Sequence, residues 1–201
     1  MAGLLLIRHG QTEWSVARRH TGRTDVPLTA EGEEQARALR PLLAGRPLSR
    51  VLASPLRRAL GTAELAGLEG VETDPDLMEW DYGGYEGRTT AAVQQERPGW
   101  YIWRDGVAAG DAEHPGESVE HVGTRADRVL ERLRPVLEDP GAADAAVVAH
   151  GHLLRVLTAR RLGLPPECGA LFRLETAATA RLGEEHGRPV LTDWNVLPGR
   201  G

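Results

Sequence analysis

The chain contains no lysine; all 24 of its Lys/Arg positions are arginine. That absence excludes a lysine nucleophile or Schiff base. It also means that an arginine carries no functional weight from its identity alone, because arginine fills every such position. Cysteine is nearly absent too: the single Cys168 excludes an internal disulfide and any multi-cysteine metal site. No apolar run approaches the length of a membrane span. The one near the N-terminus is too short for a signal peptide and leads directly into Arg8-His9, so the cytoplasm is the default expectation. Excess positive charge is missing as well. The formal net charge is −5 and no arginine-rich block stands out, so neither nucleic acid nor an anionic membrane is the expected partner. What remains is ordinary for a globular chain, 41% hydrophobic and 26% charged. Its 201 residues suffice for one domain with a proper core.

The stretch that organises the rest is Leu4-Leu5-Leu6-Ile7-Arg8-His9-Gly10. Its apolar part has the length and character of a strand buried on both faces, as in a mostly parallel sheet. The abrupt end puts Arg8 and His9 just past the carboxyl edge of that strand, where open α/β sheets bind ligands. Ala145-Ala146-Val147-Val148-Ala149-His150-Gly151 repeats the pattern. Between the two, Arg50–Ala53 reads as a further short buried strand, and Ser54-Pro55 as the cap and first turn of a helix carrying Arg57 and Arg58. Thr29 reads as the cap of an earlier helix, in which Ala36, Leu39, Leu42 and Leu43 recur at helical spacing until Gly45. Val71–Thr73 reads as an edge strand, and Thr89–Gln95 as helical. A long amphipathic helix is expected after Pro115-Gly116-Glu117-Ser118, running through Leu137, with Ser118 or Glu117 near its cap. Another runs from about Leu153 to Leu162. The tail, Leu171–Glu175, Ala178–Leu182 and Val190–Trp194, reads as two or three strands, the first two paired as a hairpin.

Strands alternating with helices predict a three-layer α/β/α sandwich with a mainly parallel sheet. Residues 1–201 read as a single domain. The stretch around 77–114, rich in aromatics, carboxylates and glycine and without a clean period, reads as a lid-like insertion.

In a parallel sheet the strand ends lie on one edge, so residues some 140 positions apart can converge. Two His-Gly ends, a helix starting with two arginines and a glycine-rich loop carrying Glu79 make an anion site. With no metal cluster and no Ser or Cys nucleophile in prospect, the economical chemistry is phosphoryl transfer through histidine. A neutral imidazole attacks phosphorus, arginines neutralise its oxygens, and a carboxylic acid protonates the departing oxygen.

Leu6-Ile7-Arg8-His9-Gly10-Gln11-Thr12-Glu13-Trp14 resembles the signature of the histidine phosphatase superfamily, in the branch of the phosphoglycerate mutases. Asp25–Gly32, Ser54–Ala59, Leu77–Glu79 and Ala149–Gly151 resemble the family's following motifs, in its order. The resemblance implies a phosphoglycerate mutase-like fold, with His9 the nucleophile that becomes phosphohistidine, Glu79 the general acid/base, Arg8 and Arg58 the phosphate clamp, and His150 a donor to phosphate. Arg58 is chosen over Arg57 because the family's arginine stands immediately before the alanine of this motif. Thr21 and Gly22 are expected on the substrate side, Gly151 beside the phosphate, and Tyr82 at the substrate. Ser15 stands where the family usually has asparagine and can still donate to phosphate. His20, His114, His121 and His186 read as surface or structural. His152, two residues from His150, follows the strand end into a helix and does not read as a metal ligand; whether it or Arg57 reaches the pocket is left open by the sequence.

No cofactor and no metal are implied. The expected ligand is a small phosphorylated metabolite, and a homodimer is among the assemblies that the resemblance leaves open. The same five residues serve phosphatases and 2,3-bisphosphoglycerate-dependent mutases. The insertion between Glu79 and His150 is shorter than in the mutases, and Glu79-Trp80-Asp81-Tyr82-Gly83 looks closer to broad-specificity acid and sugar-phosphate phosphatases. Asp81 at the mouth would also repel an acidic substrate. Hydrolysis of small phosphomonoesters is therefore the expected activity, with the mutase as the alternative and a catalytically inactive phosphate-binding protein as the third. Because attack needs a neutral His9 and leaving-group protonation a protonated Glu79, an acidic to near-neutral pH optimum is expected.

Overall fold

The computed structural model describes residues 2–199. Its centre is β1 (Leu4–Arg8), which pairs in parallel with β4 (Asp144–Ala149) on one side. On the other it pairs antiparallel with β5 (Thr179–Glu185). The period of two along β1 explains the layers. Leu4 and Leu6 point into one core, with Val122, Val129, Leu133, Leu153 and Leu157. Leu5 and Ile7 point into the other, with Leu39, Leu43, Ala59 and Ala63. Both faces are sealed, and each of these four side chains contributes roughly 1.5–3 kcal/mol by leaving water.

The six-stranded sheet has the order β3-β2-β4-β1-β5-β6. β2 (Leu48–Ala53) and β3 (Val71–Thr73) extend the parallel part. The antiparallel β5 and β6 (Arg188–Val196) close the other edge. One helical layer comprises α2 (Ala30–Arg37), α3 (Arg40–Leu43) and α4 (Arg57–Leu65). The other is built on α7 (Val119–Leu137) and α8 (Gly151–Arg161). Shorter helices are α1 (Glu13–Val16), α5 (Thr90–Glu96) and α6 (Ile102–Asp105). This is the three-layer, mainly parallel α/β architecture expected from the strand and helix pattern. Among the described residues no helix is long and apolar enough to cross a membrane.

Local chemistry accounts for most element ends. Thr29 caps α2 through its side chain, which accepts from the Gly32 amide, and Ser118 caps α7 in the same way. The helix expected to run on to Gly45 is broken in two after Arg37. Pro41 cannot donate to the Arg37 carbonyl four residues back, so the chain turns and restarts with the proline in the first turn of α3. The tail differs from expectation. Leu171–Glu175 is not a strand, and the hairpin is formed by β5 and β6. Its two-residue turn is His186-Gly187, with φ of 49° and 75°, the geometry that matches the twist of paired strands.

The segment 77–114 does not stand off as a flap. Trp80, Tyr82, Tyr85, Trp100 and Trp103 are buried in the same cluster as Val122, Leu153 and Leu157. Aromatic burial supplies what the missing periodicity could not show, and Glu79 and Tyr82 of this segment line the cleft beside Arg8 and His9.

Candidate active site

The register that sets Arg8 opposite Ala149 brings the two His-Gly ends together. The His9 amide bonds to the Ala149 carbonyl at 3.0 Å, and the His9 and His150 rings lie 5.1 Å apart. His9 is buried. Its Nδ1 donates to the Gly10 carbonyl at 2.7 Å; since a carbonyl only accepts, the proton is on Nδ1 and the Nε2 lone pair is free. Burial lowers the His9 pKa well below 6.5, and the Arg58 and Arg8 charges lower it further, against a smaller opposing pull from Gly10. The ring is therefore neutral at neutral pH.

Arg8 stacks on Gly151, where a Cβ would lie 3.2 Å from Arg8 Cζ. Its Nη1 donates to the Leu174 carbonyl at 2.5 Å, while its buried Nε has no partner. A buried guanidinium nitrogen without an acceptor is costly, and an anion in the cleft would satisfy it. Burial lowers the Arg8 pKa and the Glu79 charge opposes that shift. Glu79 sits on the N-terminus of α8. Its Oε1 accepts from the Trp80 and Leu153 amides at 2.9 and 2.8 Å, and its Oε2 from the His152 amide at 2.9 Å. Oε2 has one donor against two and keeps the more open lone pairs.

Together these groups line a cleft of about 200 Å³, with Thr12, Ser15, Thr21 and Tyr82 on its walls. The chain matches the model of the histidine phosphatase superfamily (branch 1) over residues 4–197. It belongs to that family. It is 42% identical to an acid phosphatase of Mycobacterium tuberculosis over 186 residues, 92% of this chain and 87% of that protein. It is 33% identical to a protein of Serratia proteamaculans named probable phosphoglycerate mutase GpmB, over 98% of this chain and 91% of that one. A solved structure of an open reading frame from Mycobacterium tuberculosis superimposes with a TM-score of 0.87 at 40% identity, covering 98% of both chains.

In this histidine phosphatase the remaining expected residues are placed unevenly. Arg58 is fully buried behind His9, whereas Arg57 is exposed. The Arg58 side chain donates to the Thr21, Gly22 and Thr24 carbonyls and, from Nε at 3.1 Å, to His150 Nδ1. Both it and His150 are second in line from the cleft rather than on its wall. Because Arg58 keeps its protons, His150 Nδ1 is the acceptor and Nε2 carries the ring proton, donated to Ser54 Oγ at 2.7 Å. Burial, then Arg58, hold the His150 pKa well below 6.5. Both ring nitrogens are committed, so His150 has no proton directed at the cleft in this arrangement.

Ser15 reaches the cleft wall, but its hydroxyl closes a capping box with Thr12, donating to the Thr12 carbonyl at 2.8 Å. Gly22 is not on the wall. Its amide is held by Glu86 at 2.9 Å, and a Cβ there would lie 2.5 Å from the Trp80 carbonyl oxygen, so glycine is needed for close packing. Asp81 is buried away from the cleft, where it accepts from the Gly83 amide, and gives no repulsion at the mouth. The Tyr82 hydroxyl is hydrogen-bonded to His152 Nδ1. Burial, and the charges of Glu79 and Glu86, raise the Tyr82 pKa well above 10 and keep its proton in place.

Four further participants were not expected in the roles they take. His20, read as surface or structural, lines the cleft against Tyr82, its ring centroid 4.8 Å away. Ser54 leaves its capping role: α4 starts at Arg57 behind Leu56, and the Ser54 hydroxyl serves His150. Arg125 holds the loop that carries Glu79, donating to the Asp76, Met78 and Glu79 carbonyls and to Glu117. Arg155 lines the cleft with its guanidinium 4.7 Å over the Trp103 ring. His20, Arg125 and Arg155 lie outside the motifs that the family resemblance named, and Ser54 lies in one of them without having been given this role.

Proposed function

We propose that this chain hydrolyses small phosphomonoesters through a phosphohistidine on His9. The observation that carries this reading is the His9 tautomer: Nδ1 is tied to Gly10 and Nε2 is free, in a cleft also lined by Arg8, whose Nε has no partner. The Nε2 lone pair forms the N–P bond as the ester P–O bond breaks, and the departing alkoxide takes a proton from Glu79. Water then attacks phosphorus, Glu79 receives its proton, the N–P bond breaks and inorganic phosphate leaves. Arg8 neutralises the charge building on the non-bridging oxygens. Arg58, bonded to His150 and to three carbonyls, contributes its field and holds His150.

Similarity to an acid phosphatase supports hydrolysis, and similarity to a protein bearing a mutase name keeps isomerisation as the second reading. The single cysteine suits the reducing cytoplasm. The test is phosphate release from p-nitrophenyl phosphate, glycerol phosphate and 3-phosphoglycerate without added metal, the last with and without 2,3-bisphosphoglycerate and with 2-phosphoglycerate measured. Hydrolysis predicts release from several esters, a base-stable and acid-labile phosphoenzyme, and loss of both on His9→Ala. Fast isomerisation with little release would establish the mutase instead. An unchanged rate for His9→Ala would remove His9 as the nucleophile.

A further inference from the structure

The tautomer of His9 depends on one acceptor, the Gly10 carbonyl. A neutral imidazole carries its proton on either nitrogen, and the hydrogen bond made at one of them decides which. Gly10 cannot by itself hold that carbonyl in place, because without a Cβ the peptide planes on both sides of it turn easily. Two side chains from different helices hold them instead. Thr62 is fully buried on α4, one turn after Arg58. Its hydroxyl donates to the Arg58 carbonyl at 2.7 Å, which uses its one proton, and accepts from the Gly10 amide at 3.0 Å. That bond pins the peptide before Gly10. Gln35 is half-buried on α2, and its side-chain oxygen accepts from the Gln11 amide at 3.0 Å. That bond pins the peptide after Gly10. In a trans peptide the N–H and C=O point in opposite directions within one plane. Aiming the Gln11 N–H at Gln35 therefore aims the Gly10 C=O the other way, at His9 Nδ1. Close packing completes the clamp: a Cβ on Gly10 would collide with the Gly32 carbonyl oxygen, and a Cβ on Gly32 with that of Gln11. Neither Thr62 nor Gln35 lines the cleft.

Resting on the proposed role of His9 as nucleophile, we infer that Thr62 and Gln35 are positioning residues for it: by fixing the two peptides that flank Gly10 they hold the proton on His9 Nδ1 and leave the Nε2 lone pair for phosphorus. Without either acceptor the Gly10 carbonyl is released, and part of the His9 population carries its proton on Nε2, where no lone pair remains for attack. The loss of one such hydrogen bond corresponds to a fall in rate of about tenfold. It falls equally on an ester whose leaving oxygen needs a proton and on one whose leaving anion is stable without it, because both need the Nε2 lone pair. A defect at Glu79 would separate the two.

The experiment uses the full chain and its variants Gln35→Met, Gln35→Glu, Thr62→Val and Thr62→Ser. The ring nitrogen resonances of His9, assigned by their loss in His9→Ala, read which nitrogen carries the proton without any substrate. kcat/KM for p-nitrophenyl phosphate and for glycerol phosphate reads transfer to His9, and inhibition by inorganic phosphate reads the integrity of the cleft. Gln35→Met and Thr62→Val are expected to shift the His9 resonances toward a mixture of tautomers and to lower kcat/KM about tenfold on both esters, with inhibition by phosphate within about threefold of the parent. Gln35→Glu and Thr62→Ser keep an acceptor and are expected to recover most of the loss. Gln35 is only half-buried, so its variants carry the test even where Thr62→Val, in the core, does not fold. Unmoved His9 resonances in Gln35→Met overturn the inference and leave hydrolysis through His9 intact. So do moved resonances with kcat/KM unchanged, a loss confined to glycerol phosphate, or a Gln35→Glu protein no faster than Gln35→Met. Resonances that move in a protein whose parent hydrolyses no ester support the positioning and overturn the phosphatase reading alone.

Discussion

Replacing Arg125 by methionine separates the support of the acid/base from its chemistry. Arg125 is 7% exposed and lies on α7, away from the cleft wall. Its guanidinium donates to the carbonyls of Asp76 at 2.6 Å, Met78 at 2.9 Å and Glu79 at 3.3 Å. It also donates twice to Glu117, at 2.7 and 2.9 Å. Methionine keeps most of the packing of the stem and removes every one of these donors. The Glu117 carboxylate is not orphaned, because the Asp81 amide at 3.0 Å and Arg23 at 3.3 Å remain. The three carbonyls lose their common donor, and the expected cost is about 3–5 kcal/mol. For a domain of this length that lowers Tm by roughly 8–15 °C, leaving a folded protein at 25 °C. The Glu79 backbone is then free to shift while its carboxylate stays on the α8 amides. An alkyl phosphate, whose leaving oxygen needs a proton, should lose about 10–100-fold in kcat. p-Nitrophenyl phosphate, whose leaving anion is stable without one, should lose far less. Thermal unfolding and the ratio of the two kcat values are the measurements. A Tm within 2 °C of the parent, or equal losses on both esters, would refute this account of Arg125.

Further outcomes follow from the same geometry. Ser54→Ala leaves the His150 Nε2 proton without its acceptor; a fall in kcat of about tenfold is expected, with a shifted His150 ring nitrogen resonance, and an unmoved resonance would discount the contact. Gly22→Ala drives a methyl into the Trp80 carbonyl and should lower stability by about 1–3 kcal/mol while the folded fraction keeps its KM; a raised KM at unchanged stability would return Gly22 to the substrate site. His9, His150 and His152 all have pKa values held well below 6.5, chiefly by burial, so the unfolded chain takes up protons near pH 6.5 that the folded chain refuses. Stability is therefore full above pH 6.5 and falls below it, by up to about 1.4 kcal/mol per pH unit for each ring, until the folded values are reached. The urea midpoint between pH 7 and 5 measures this, and a flat profile would contradict the neutral rings.

The fold was legible where local pattern and global position agree. Leu4–Ile7 and Ala145–Val148 are continuous apolar runs because both faces of their strands are covered. Arg58 was preferred to Arg57 only through the family resemblance; in α4 Arg58 is buried and Arg57 exposed. Legibility failed where a side chain had two competing uses. Ser54 matched a helix cap, but a buried imidazole N–H is the costlier group to leave unpaired, so the hydroxyl went there. Asp81 read as a mouth residue because nothing in the sequence says which way an irregular loop faces; the Gly83 amide turned it inward. His20 had no motif and reached the cleft only through the packing of Tyr82 and Trp100. The segment 77–114 failed for a related reason: its aromatics fill a shared core and follow no period of their own.

The first turn of α8 fixes which parts of the chain can change length. Within four consecutive residues, His150 meets Arg58, Gly151 makes room for Arg8, and His152 and Leu153 hold Glu79. One inserted residue ahead of that turn would rotate these groups about the helix by roughly 100° and break all four contacts together. Residues 107–113 make no hydrogen bond to any of them, and their backbone meets Gly83 and Gly84. Loop length can therefore vary there to reshape the mouth for a new alcohol, while the interval between Ala149 and Leu153 stays fixed. Substrate range and bond-breaking chemistry are in this sense adjustable separately, by chain length in one stretch and hardly at all in the other.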